Sequence, residues 1–337
     1  MEIGILAVPW PRRSAETARV LEGLGFDTVL FPDSQNLAPE VWGQLMLAAQ
    51  TTSRVRLGPG VTNSVTRDAA VTASAAVALQ AESGGRALLA IGRGDSSVQR
   101  IGKREDRVAP FEQYLTALQG YLRGEAVDRD GFASRLEWLE RLKVPKVPVE
   151  VAATGRRVIE VAARRADRIC LAVGVDVAHV GDVLAHARAA ASAAGRTPGA
   201  VRYGLFVNVV IDDDQRVARD AVRGSAASFA RFSAFAGSDL DRLPTPLASA
   251  ARYLRAHYDM RDHTRTGVAH TAGIGDDFVD WFAIAGPPDV ARDRLQQLAR
   301  LGLDFCHVIP GSTGMPREVA VSSVQRLAHE VLPSLRS

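Results

Sequence analysis

The sequence predicts a single α/β domain folded as an eight-stranded (β/α)8 TIM barrel. Short apolar runs rich in β-branched residues alternate with longer helix-forming runs, and this alternation recurs roughly eight times along the chain. Strands that alternate with helices form a parallel sheet with right-handed crossovers. The chain has 337 residues. A barrel of this kind needs about 250 residues, so the length leaves room for insertions.

Four strand–helix units are predicted in the first part of the chain. The strands are expected at 3–8, 28–31, 55–61 and 87–91, and the helices at 14–24, 40–51, 69–82 and 111–122. Ser14 is predicted to cap the first helix, and Gly25 is predicted to end it because glycine readily takes the left-handed conformation. Asp68 or Thr66 is expected to cap the third helix.

The same period continues to the end of the chain. Strands are expected at 147–152, 169–173, 201–211 and 305–309, and helices at 156–166, 179–194, from 212, at 289–301 and at 318–332. Two excursions, at about 124–146 and 237–285, are expected as insertions in the loops at the carboxyl-terminal rim. No stretch rich in proline, serine or glycine marks a domain boundary, so residues 1–337 are expected to form one domain.

Composition argues against several classes of function. The 41 basic residues are dispersed among 38 acidic ones and only 6% of residues are aromatic, which disfavours a nucleic-acid interface. No apolar run approaches the ~18 residues of a membrane span. The chain opens in a strand-like run without a charged n-region, so we expect a cytoplasmic protein rather than a secreted or membrane protein.

The two cysteines give little sign of chemistry. Cys170 and Cys306 lie in apolar strand-like runs and are expected to be buried. Neither has a cysteine or histidine at the spacing of a zinc motif, so no metal site is predicted. A nucleophilic thiol at Cys306, beside His307, is the less favoured alternative.

Glycines and polar residues follow several of the predicted strands, where barrel enzymes build their sites. For any one glycine a simple chain turn is the more ordinary interpretation, but their collection at several strand ends favours a ligand. Thr154, Gly155 and Arg156 open a helix, and helix N-termini bind anions such as phosphate. Gly174 and Val175 are expected to complete that cradle. Neither a Walker loop nor a GxGxxG fingerprint follows the first strand, which disfavours nucleotide triphosphatases and nicotinamide-binding Rossmann proteins.

The run 57–97 resembles the luciferase-like monooxygenase superfamily. The resemblance is carried by its Gly-Val-Thr-Asn, Thr-Arg, Ser-Gly-Gly-Arg and Gly-Arg-Gly-Asp-Ser segments. Within the superfamily, the sequence is most similar to the coenzyme F420-dependent reductases of the methylenetetrahydromethanopterin reductase type. The later runs 258–270 and 278–289 fit the same group, so the resemblance covers essentially the whole chain.

The resemblance implies roles for individual residues. A non-proline cis peptide is expected at Gly60–Val61, under one face of the cofactor ring. Asp33 is expected near the polar edge of the ring, where its carboxylate could accept hydrogen bonds from the ring or the substrate, and it is the first catalytic candidate. Ser34 stands where the sugar phosphate dehydrogenase branch has histidine, which disfavours that branch. Asp95 is the second acid–base candidate, with the capping of a turn as its alternative role. The expected cofactor contacts are Asp33, Gly60, Val61, Thr62, Gly94, Asp95, Ser96, Ser97, Thr154, Gly155, Arg156, Gly174 and Val175.

A proton donor is also expected near the substrate. His257, His263, His270 and Tyr258 fall in the second excursion, where substrate is expected to enter, and His263 is the catalytic candidate. Each of these four has an ordinary loop position as its alternative interpretation.

The resemblance predicts an enzyme that transfers a hydride between C5 of coenzyme F420 and a small organic substrate. An FMN-dependent two-component monooxygenase is the alternative, since the cofactor decides the chemistry. A non-catalytic binding protein on the same barrel is the second alternative. The resemblance further implies a homodimer, and the composition already disfavours a nucleic-acid partner.

Overall fold

Strands and helices alternate along the chain as the sequence predicts. The structure is a computed structural model, which describes residues 1–234 and 239–336. The β-strands of the described residues are β1 (Glu2–Leu6), β2 (Thr28–Phe31), β3 (Arg56–Pro59), β4 (Thr62–Asn63), β5 (Leu89–Gly92), β6 (Val127–Arg129), β7 (Phe132–Ser134), β8 (Val149–Ala153), β9 (Arg168–Leu171), β10 (Arg202–Ile211), β11 (Ile284–Gly286) and β12 (Phe305–Ile309).

Helices connect these strands. The α-helices of the described residues are α1 (Ser14–Gly23), α2 (Val41–Ala49), α3 (Ala69–Glu82), α4 (Ser96–Gln99), α5 (Val108–Leu122), α6 (Arg156–Arg165), α7 (Val177–Ala193), α8 (Gln215–Ala230), α9 (Thr245–His257), α10 (Asp276–Phe282), α11 (Pro288–Ala299) and α12 (Arg317–Arg326). Short 3₁₀ turns lie at Leu139–Arg141, Arg231–Ala234, Leu240–Arg242, Met260–Asp262, Ala269–Thr271 and Leu332–Leu335, and a π-helical turn at Leu327–Val331.

The parallel strands close into a barrel. Their order is β3-β2-β1-β12-β10-β9-β8-β5-β4, and a parallel bridge between Leu57 and Ala87 joins the two ends. β3 and β4 are two segments of one barrel strand, interrupted at the peptide bond between Gly60 and Val61, which is cis. Counted this way the barrel has eight strands at the predicted places, so the predicted fold and the predicted cis peptide are confirmed.

Alternation along the strands divides the apolar residues between two cores. Outward-facing residues such as Ile5, Val29 and Val151 pack beneath the helices in the main core. The interior of the barrel is filled by a smaller set, which comprises Leu30, Leu88, Cys170, Ala172, Phe206, Phe305 and Ile309.

The barrel interior also contains a buried ionic cluster. Glu150 accepts hydrogen bonds from Arg168 Nε at 2.8 Å and from His307 Nε2 at 2.9 Å. Burial acts to raise the pKa of Glu150, but His307 and Arg168 lower it below its ordinary value. Gly4 stands opposite His307 in the strand register, and a Cβ atom there would overlap the imidazole. The cluster therefore ties together four strands, β1, β8, β9 and β12.

The two predicted excursions differ in where they join the barrel. The first connects α5 to β8 and contains the antiparallel hairpin of β6 and β7, whose turn at Asp130 and Gly131 has positive φ angles of 53° and 88°. The second lies between β10 and α11, at the carboxyl-terminal rim, and contains α9, α10 and β11. Its first two predicted residues, 237 and 238, lie outside the described residues. A connection from a helix to the next strand lies at the amino ends of the strands, so the predicted position at the carboxyl-terminal rim is wrong for the first excursion. Of the two, the second excursion is the one that can shape a site at the rim.

Several helix ends follow the sequence predictions. Asp68 caps α3 by accepting a hydrogen bond from Ala70 N at 2.8 Å, and Gly25 follows α1 with a φ of 92°. Ser14 was predicted as a cap, but it is the first residue of α1, and its hydroxyl bonds instead to the backbone of Trp10. The final helix was predicted as one element over 318–332. It changes from α to π geometry at Leu327.

No helix among residues 1–234 and 239–336 combines the length and apolar character that a bilayer span requires.

Glycines inside the barrel lie where no side chain fits. A Cβ atom at Gly58 would overlap the carbonyl oxygen of Leu88, whereas one at Gly23, in α1, would meet no atom within 4 Å. We expect Gly58→Ala to lower the free energy of unfolding by about 1–3 kcal/mol, the usual cost of overpacking.

The control is Gly23→Ala, which we expect to stabilise the protein by about 0.5–1 kcal/mol because alanine favours the helix. Urea denaturation of both variants measures the two changes. Equal effects of the two substitutions would contradict the close packing at Gly58.

Candidate active site

The carboxyl ends of the barrel strands open into one large cleft with a volume of about 1920 Å³. Its floor is largely apolar, formed by side chains such as Leu6, Val61, Ala152, Ala172 and Phe206. The predicted site residues that line it are Asp33, Gly60, Val61, Thr62, Gly94, Asp95, Ser96, Ser97, Thr154, Gly155, Arg156 and His263. The structure thus gathers residues from many strand ends around one apolar floor.

Asp33 is held at the end of β2 by two donors. Its Oδ2 accepts a hydrogen bond from Thr62 Oγ1 at 2.7 Å and forms an ion pair with the guanidinium of Arg67. Arg67 also reaches Glu40 at 3.1 Å. The Asp33 side chain is almost fully buried, so these contacts leave the carboxylate fixed beside the break in the third barrel strand.

Hydroxyl and amide groups join the two glycine-rich loops. Ser34 Oγ and Ser96 Oγ are 2.9 Å apart and buried, and Asn63 Nδ2 donates to Ser97 Oγ at 3.1 Å. Gln35 Nε2 donates to the Ser97 carbonyl at 2.6 Å. These bonds fix the loop that carries Asp95 against the ends of β2 and β4.

The opposite part of the cleft is suited to an anion. Gly155 is the N-cap of α6 and offers no side-chain cap, so the first amides of the helix are left for another acceptor. Arg156 is exposed at the first position of the helix, and Thr154 lies beside it. Helix N-termini attract anions through these amides and through the helix dipole. The predicted phosphate cradle therefore has the required groups at Thr154, Gly155 and Arg156.

Arg93 adds positive charge to the lining of the cleft. Burial lowers its pKa, the carboxylates of Glu105 and Asp106 oppose that effect, and the charge of Arg157 lowers it further. Its Nη1 donates to the Asp106 carbonyl at 2.8 Å. Arg93 and Arg157 were not among the predicted contacts, although Arg93 stands within the Gly-Arg-Gly-Asp segment.

Asp95 and His263 come together across the mouth of the cleft. Asp95 Oδ1 is in contact with the guanidinium of Arg231, and Asp95 Oδ2 lies 3.8 Å from His263 Nε2. The Asp95 side chain makes no capping hydrogen bond to the short helix α4 that follows it. Its carboxylate is therefore directed to this ionic contact rather than to a turn.

A chain of hydroxyl contacts supports His263 from behind. Its Nδ1 lies 2.6 Å from the Tyr258 hydroxyl, which in turn lies 2.7 Å from Ser228 Oγ. The Asp95 carboxylate beside Nε2 favours the tautomer that carries its proton on Nε2. In that tautomer the Tyr258 hydroxyl donates to Nδ1, and the Nε2 proton is directed toward Asp95.

Burial determines the protonation of this chain. It lowers the pKa of His263 to about 3, with further lowering from Arg231, Arg100 and His270. Burial also raises the pKa of Tyr258, against the opposing effect of Arg231. At neutral pH the imidazole is therefore neutral and the phenol is protonated, so both groups act as hydrogen-bond donors.

Two predicted contacts lie behind the wall of the cleft. Gly174 has a φ of 85° and packs against the Phe282 ring, and Val175 is fully buried in the main core. The structure does not bring these two residues to the cradle that Thr154 begins. Their glycine–valine pattern matched a strand end, but the chain turns there toward α10 instead of toward the cleft.

The cysteines are buried as the sequence predicts. Burial raises the pKa of Cys306 to about 12, so the thiol stays protonated and the nucleophile alternative is disfavoured. Cys170 lies with Glu150 and His307 in the barrel interior. One atom of each side chain that could ligate a metal ion lies within 4.8 Å of the other two. Sequence spacing gave no sign of this grouping because the three residues come from three different strands.

Sequence reasoning also missed Arg67, Arg231 and Ser228. Arg67 was visible in the Thr-Arg pair after the third strand, but its partner Asp33 is 34 residues away. Arg231 and Ser228 lie in or next to α8, which carries no motif, and Arg231 meets Asp95 across 136 residues. Contacts between residues so far apart have no local signal in the sequence.

The chain matches a known protein family along most of its length. The luciferase-like monooxygenase family model matches residues 6–304. A relative from Methanolobus tindarius, named 5,10-methylenetetrahydromethanopterin reductase, is 29% identical over 336 residues, which cover 96% of this chain and 98% of the relative.

Solved structures share the fold along nearly the whole chain. The coenzyme F420-dependent tetrahydromethanopterin reductase from Methanopyrus kandleri superimposes with a TM-score of 0.72 at 22% identity, covering 98% of both chains. An F420-dependent secondary alcohol dehydrogenase, in complex with an F420–acetone adduct, superimposes with a TM-score of 0.75 at 17% identity. The alignment covers 100% of this chain and 99% of that dehydrogenase.

The lowered pKa of His263 predicts a specific acid sensitivity. The unfolded chain takes up a proton on this histidine below pH 6.5, whereas the folded protein excludes it until about pH 3. Stability is therefore unaffected by His263 above pH 6.5 and is lost as the pH falls toward 3. We expect His263→Asn to reduce that loss by up to about 4 kcal/mol.

Urea denaturation between neutral and acidic pH measures this difference. The control is His329→Asn, which also removes one histidine but changes an exposed side chain of the π-helical turn instead of a buried one. Parallel pH profiles of the parent and His263→Asn would show that His263 is not buried in its neutral form.

Proposed function

Because the chain belongs to the luciferase-like monooxygenase family, we propose that it is a coenzyme F420-dependent oxidoreductase that transfers a hydride between the deazaflavin C5 and a small organic substrate. The observation that carries the proposal is that one cleft joins the anion cradle of α6 to the Asp95 and His263 pair. Its support from relatives is the reductase that aligns along 96% of the chain and the F420-dependent enzymes that share the fold.

The residues of the cleft fit a flat ring with an anionic tail. The apolar floor that includes Val61 and Ala172 suits a ring system, since flat apolar walls bind aromatic faces. Asp33 and Thr62 supply the polar contacts at the ring edge. The uncapped amides at the start of α6, with Arg156, would hold the phosphate of the tail.

Coenzyme F420, when bound, supplies or accepts the hydride at C5. The side chains of this protein orient the reactants and exclude water from the floor of the cleft, which strengthens the electrostatic contacts there. Asp33 stays fixed by Thr62 and Arg67 while the substrate binds, because its carboxylate is already engaged. Asp33 therefore acts as a positioning group at the ring edge.

Proton transfer is assigned to Asp95 and His263 at the mouth of the cleft. Asp95 Oδ2 takes a proton from a substrate hydroxyl in the oxidative direction and returns it to the developing alkoxide in the reductive one. His263 would donate a hydrogen bond from Nε2 to the substrate oxygen, and its orientation is held by the Tyr258 hydroxyl, which lies 2.6 Å from Nδ1. Arg231 compensates the charge of Asp95 when the carboxylate is ionised.

A carbonyl, imine or enone, or the corresponding reduced compound, suits this arrangement. Its oxygen or nitrogen would face Asp95 and His263, and its reacting carbon would lie over the floor near Val61. The homodimer and the cytoplasmic location expected from the sequence stay predictions.

Cofactor binding is the first test of the proposal. We expect the purified protein to bind coenzyme F420 in a fluorescence titration, and Arg156→Ala to weaken that binding about 10- to 100-fold through loss of a charge-assisted contact. The matched control is Arg165→Ala, in the last turn of the same helix, where the side chain pairs with Glu112 instead. This control should bind like the parent.

A parallel titration with FMN decides between the two cofactors. Tight binding of FMN without binding of coenzyme F420 would contradict the proposal and favour the monooxygenase alternative. Binding of neither would favour the non-catalytic alternative. Equal affinity of Arg156→Ala and the parent for coenzyme F420 would remove Arg156 from the cradle.

Asp95→Asn tests the proton-transfer role. General acid–base catalysis contributes about 10²- to 10⁴-fold to a rate, so we expect kcat to fall within that range. Affinity for coenzyme F420 should stay within a few-fold of the parent, since asparagine keeps the size of the Asp95 side chain and the substitution leaves the start of α6 unchanged. Steady-state kinetics with reduced coenzyme F420 measure the first effect and the fluorescence titration measures the second. An unchanged kcat would exclude Asp95 as the proton-transfer group.

A further inference from the structure

The outer ring of helices has an opening between its first and last members. α1 packs on α2, and contacts continue through α3, α5, α6 and α7. α12 is instead held over β10, where Ser323 Oγ accepts a buried hydrogen bond from Ile211 N at 2.8 Å. Between α1 and α12 a groove takes the place of helix packing.

Two facing stripes of side chains line this groove, which we call the α1–α12 groove. The stripe on α1 carries Thr17, Val20, Leu21 and, just past its end, Leu24, and the stripe on α12 carries Ala320, Val321 and Val324. The spacing of three to four residues puts each set on one helix face. The floor is formed by Ile5 and Ala7, from β1 and the residue following it. The charged groups Glu16 and Arg317 stand only at the rim end of the stripes.

The groove exposes apolar surface. Val20 is 46% exposed and Val321 is 48% exposed, and Val8, at the entrance from the barrel rim, is 63% exposed. All three valines line the same cavity, and exposed apolar side chains grouped in this way mark a binding site more often than isolated ones do. The groove is also part of the same continuous cavity as the Asp33, Asp95 and His263 cleft.

We propose that the α1–α12 groove binds the unbranched apolar chain of a substrate whose carbonyl or alcohol group lies at Asp95 and His263. The proposal rests on the proposed function, because it places the reacting group in that cleft. Continuity with the cleft favours a substrate chain over a second protein molecule. The stripe from Thr17 to Leu24 spans about 10 Å of helix, long enough for several methylene groups.

Chain length should then control affinity. Each methylene buried against the groove is expected to lower KM about two- to four-fold until the groove is filled. Methyl ketones from acetone to methyl undecyl ketone, reduced with reduced coenzyme F420, provide the series. We expect kcat to change little, since the reacting group occupies the same position throughout.

Charged substitutions in the groove test the location of the chain. Val321→Arg and Val20→Arg replace exposed side chains, so folding should be retained, and each should raise KM for methyl undecyl ketone at least ten-fold while leaving acetone unaffected. Val71→Arg is the matched control, because Val71 is a helical valine on α3 that is 56% exposed and does not line the cavity.

Direct binding separates this proposal from the proposed function. cis-Parinaric acid, which fluoresces when its chain is buried, should bind the parent and Val71→Arg but not Val321→Arg, with no cofactor present. If the protein reduces no ketone but the probe still binds the parent and Val71→Arg and not Val321→Arg, the proposed function is overturned and the binding of an apolar chain in the groove is retained. A KM that is independent of chain length, or a probe that binds Val321→Arg as well as the parent, would overturn the groove. A molar mass of Val321→Arg in light scattering that differs from that of the parent would also overturn the proposal, because the groove would then be an interface between copies of the chain.

Discussion

The buried carboxylate of Glu150 is the constraint on which the barrel depends. A charge in an apolar interior must be compensated there, and removing one partner of a buried pair costs about 3–5 kcal/mol. Arg168 and His307 supply that compensation from two other strands. Arg168 also reaches Glu2 at 3.3 Å, and Gly4 leaves the space that His307 fills. The interior thus fixes which strands are neighbours and how far each is shifted along the barrel.

The position of the cleft follows from that alignment. Once the strands are in register, their carboxyl ends lie at one rim, and the residues that follow them surround one apolar floor. The third strand is divided at Gly60 and Val61, so Thr62 can reach Asp33 while Asn63 reaches Ser97. At the other end of the cleft, the start of α6 leaves its first amides without a side-chain cap. The start of α6 and the pair of Asp95 and His263 therefore face the same space.

Residues from α8 and its end and from the second excursion meet Asp95 from distant parts of the chain. α8 brings Ser228 and Arg231 over the mouth of the barrel, and the segment after α9 brings Tyr258 and His263. Burial keeps the imidazole neutral, with the pKa of His263 lowered to about 3. The barrel therefore supplies the apolar floor of the cleft, and the excursion supplies polar groups at its mouth. The groove between α1 and α12 extends the same cavity along the outside of the barrel.

Sequence periodicity determined the barrel, because apolar alternation and glycine stops are local signals that each strand and helix carries on its own. It placed the eight strands and the caps at Gly25 and Asp68. The strand-end positions, together with the family resemblance, indicated Asp33, Asp95 and the start of α6. Only the tertiary structure decided that Arg231 meets Asp95, that His263 is buried against Tyr258, and that Gly174 turns away from the cleft. Those outcomes depend on contacts between residues far apart in the chain, and charge compensation and burial at such contacts leave no local pattern in the sequence.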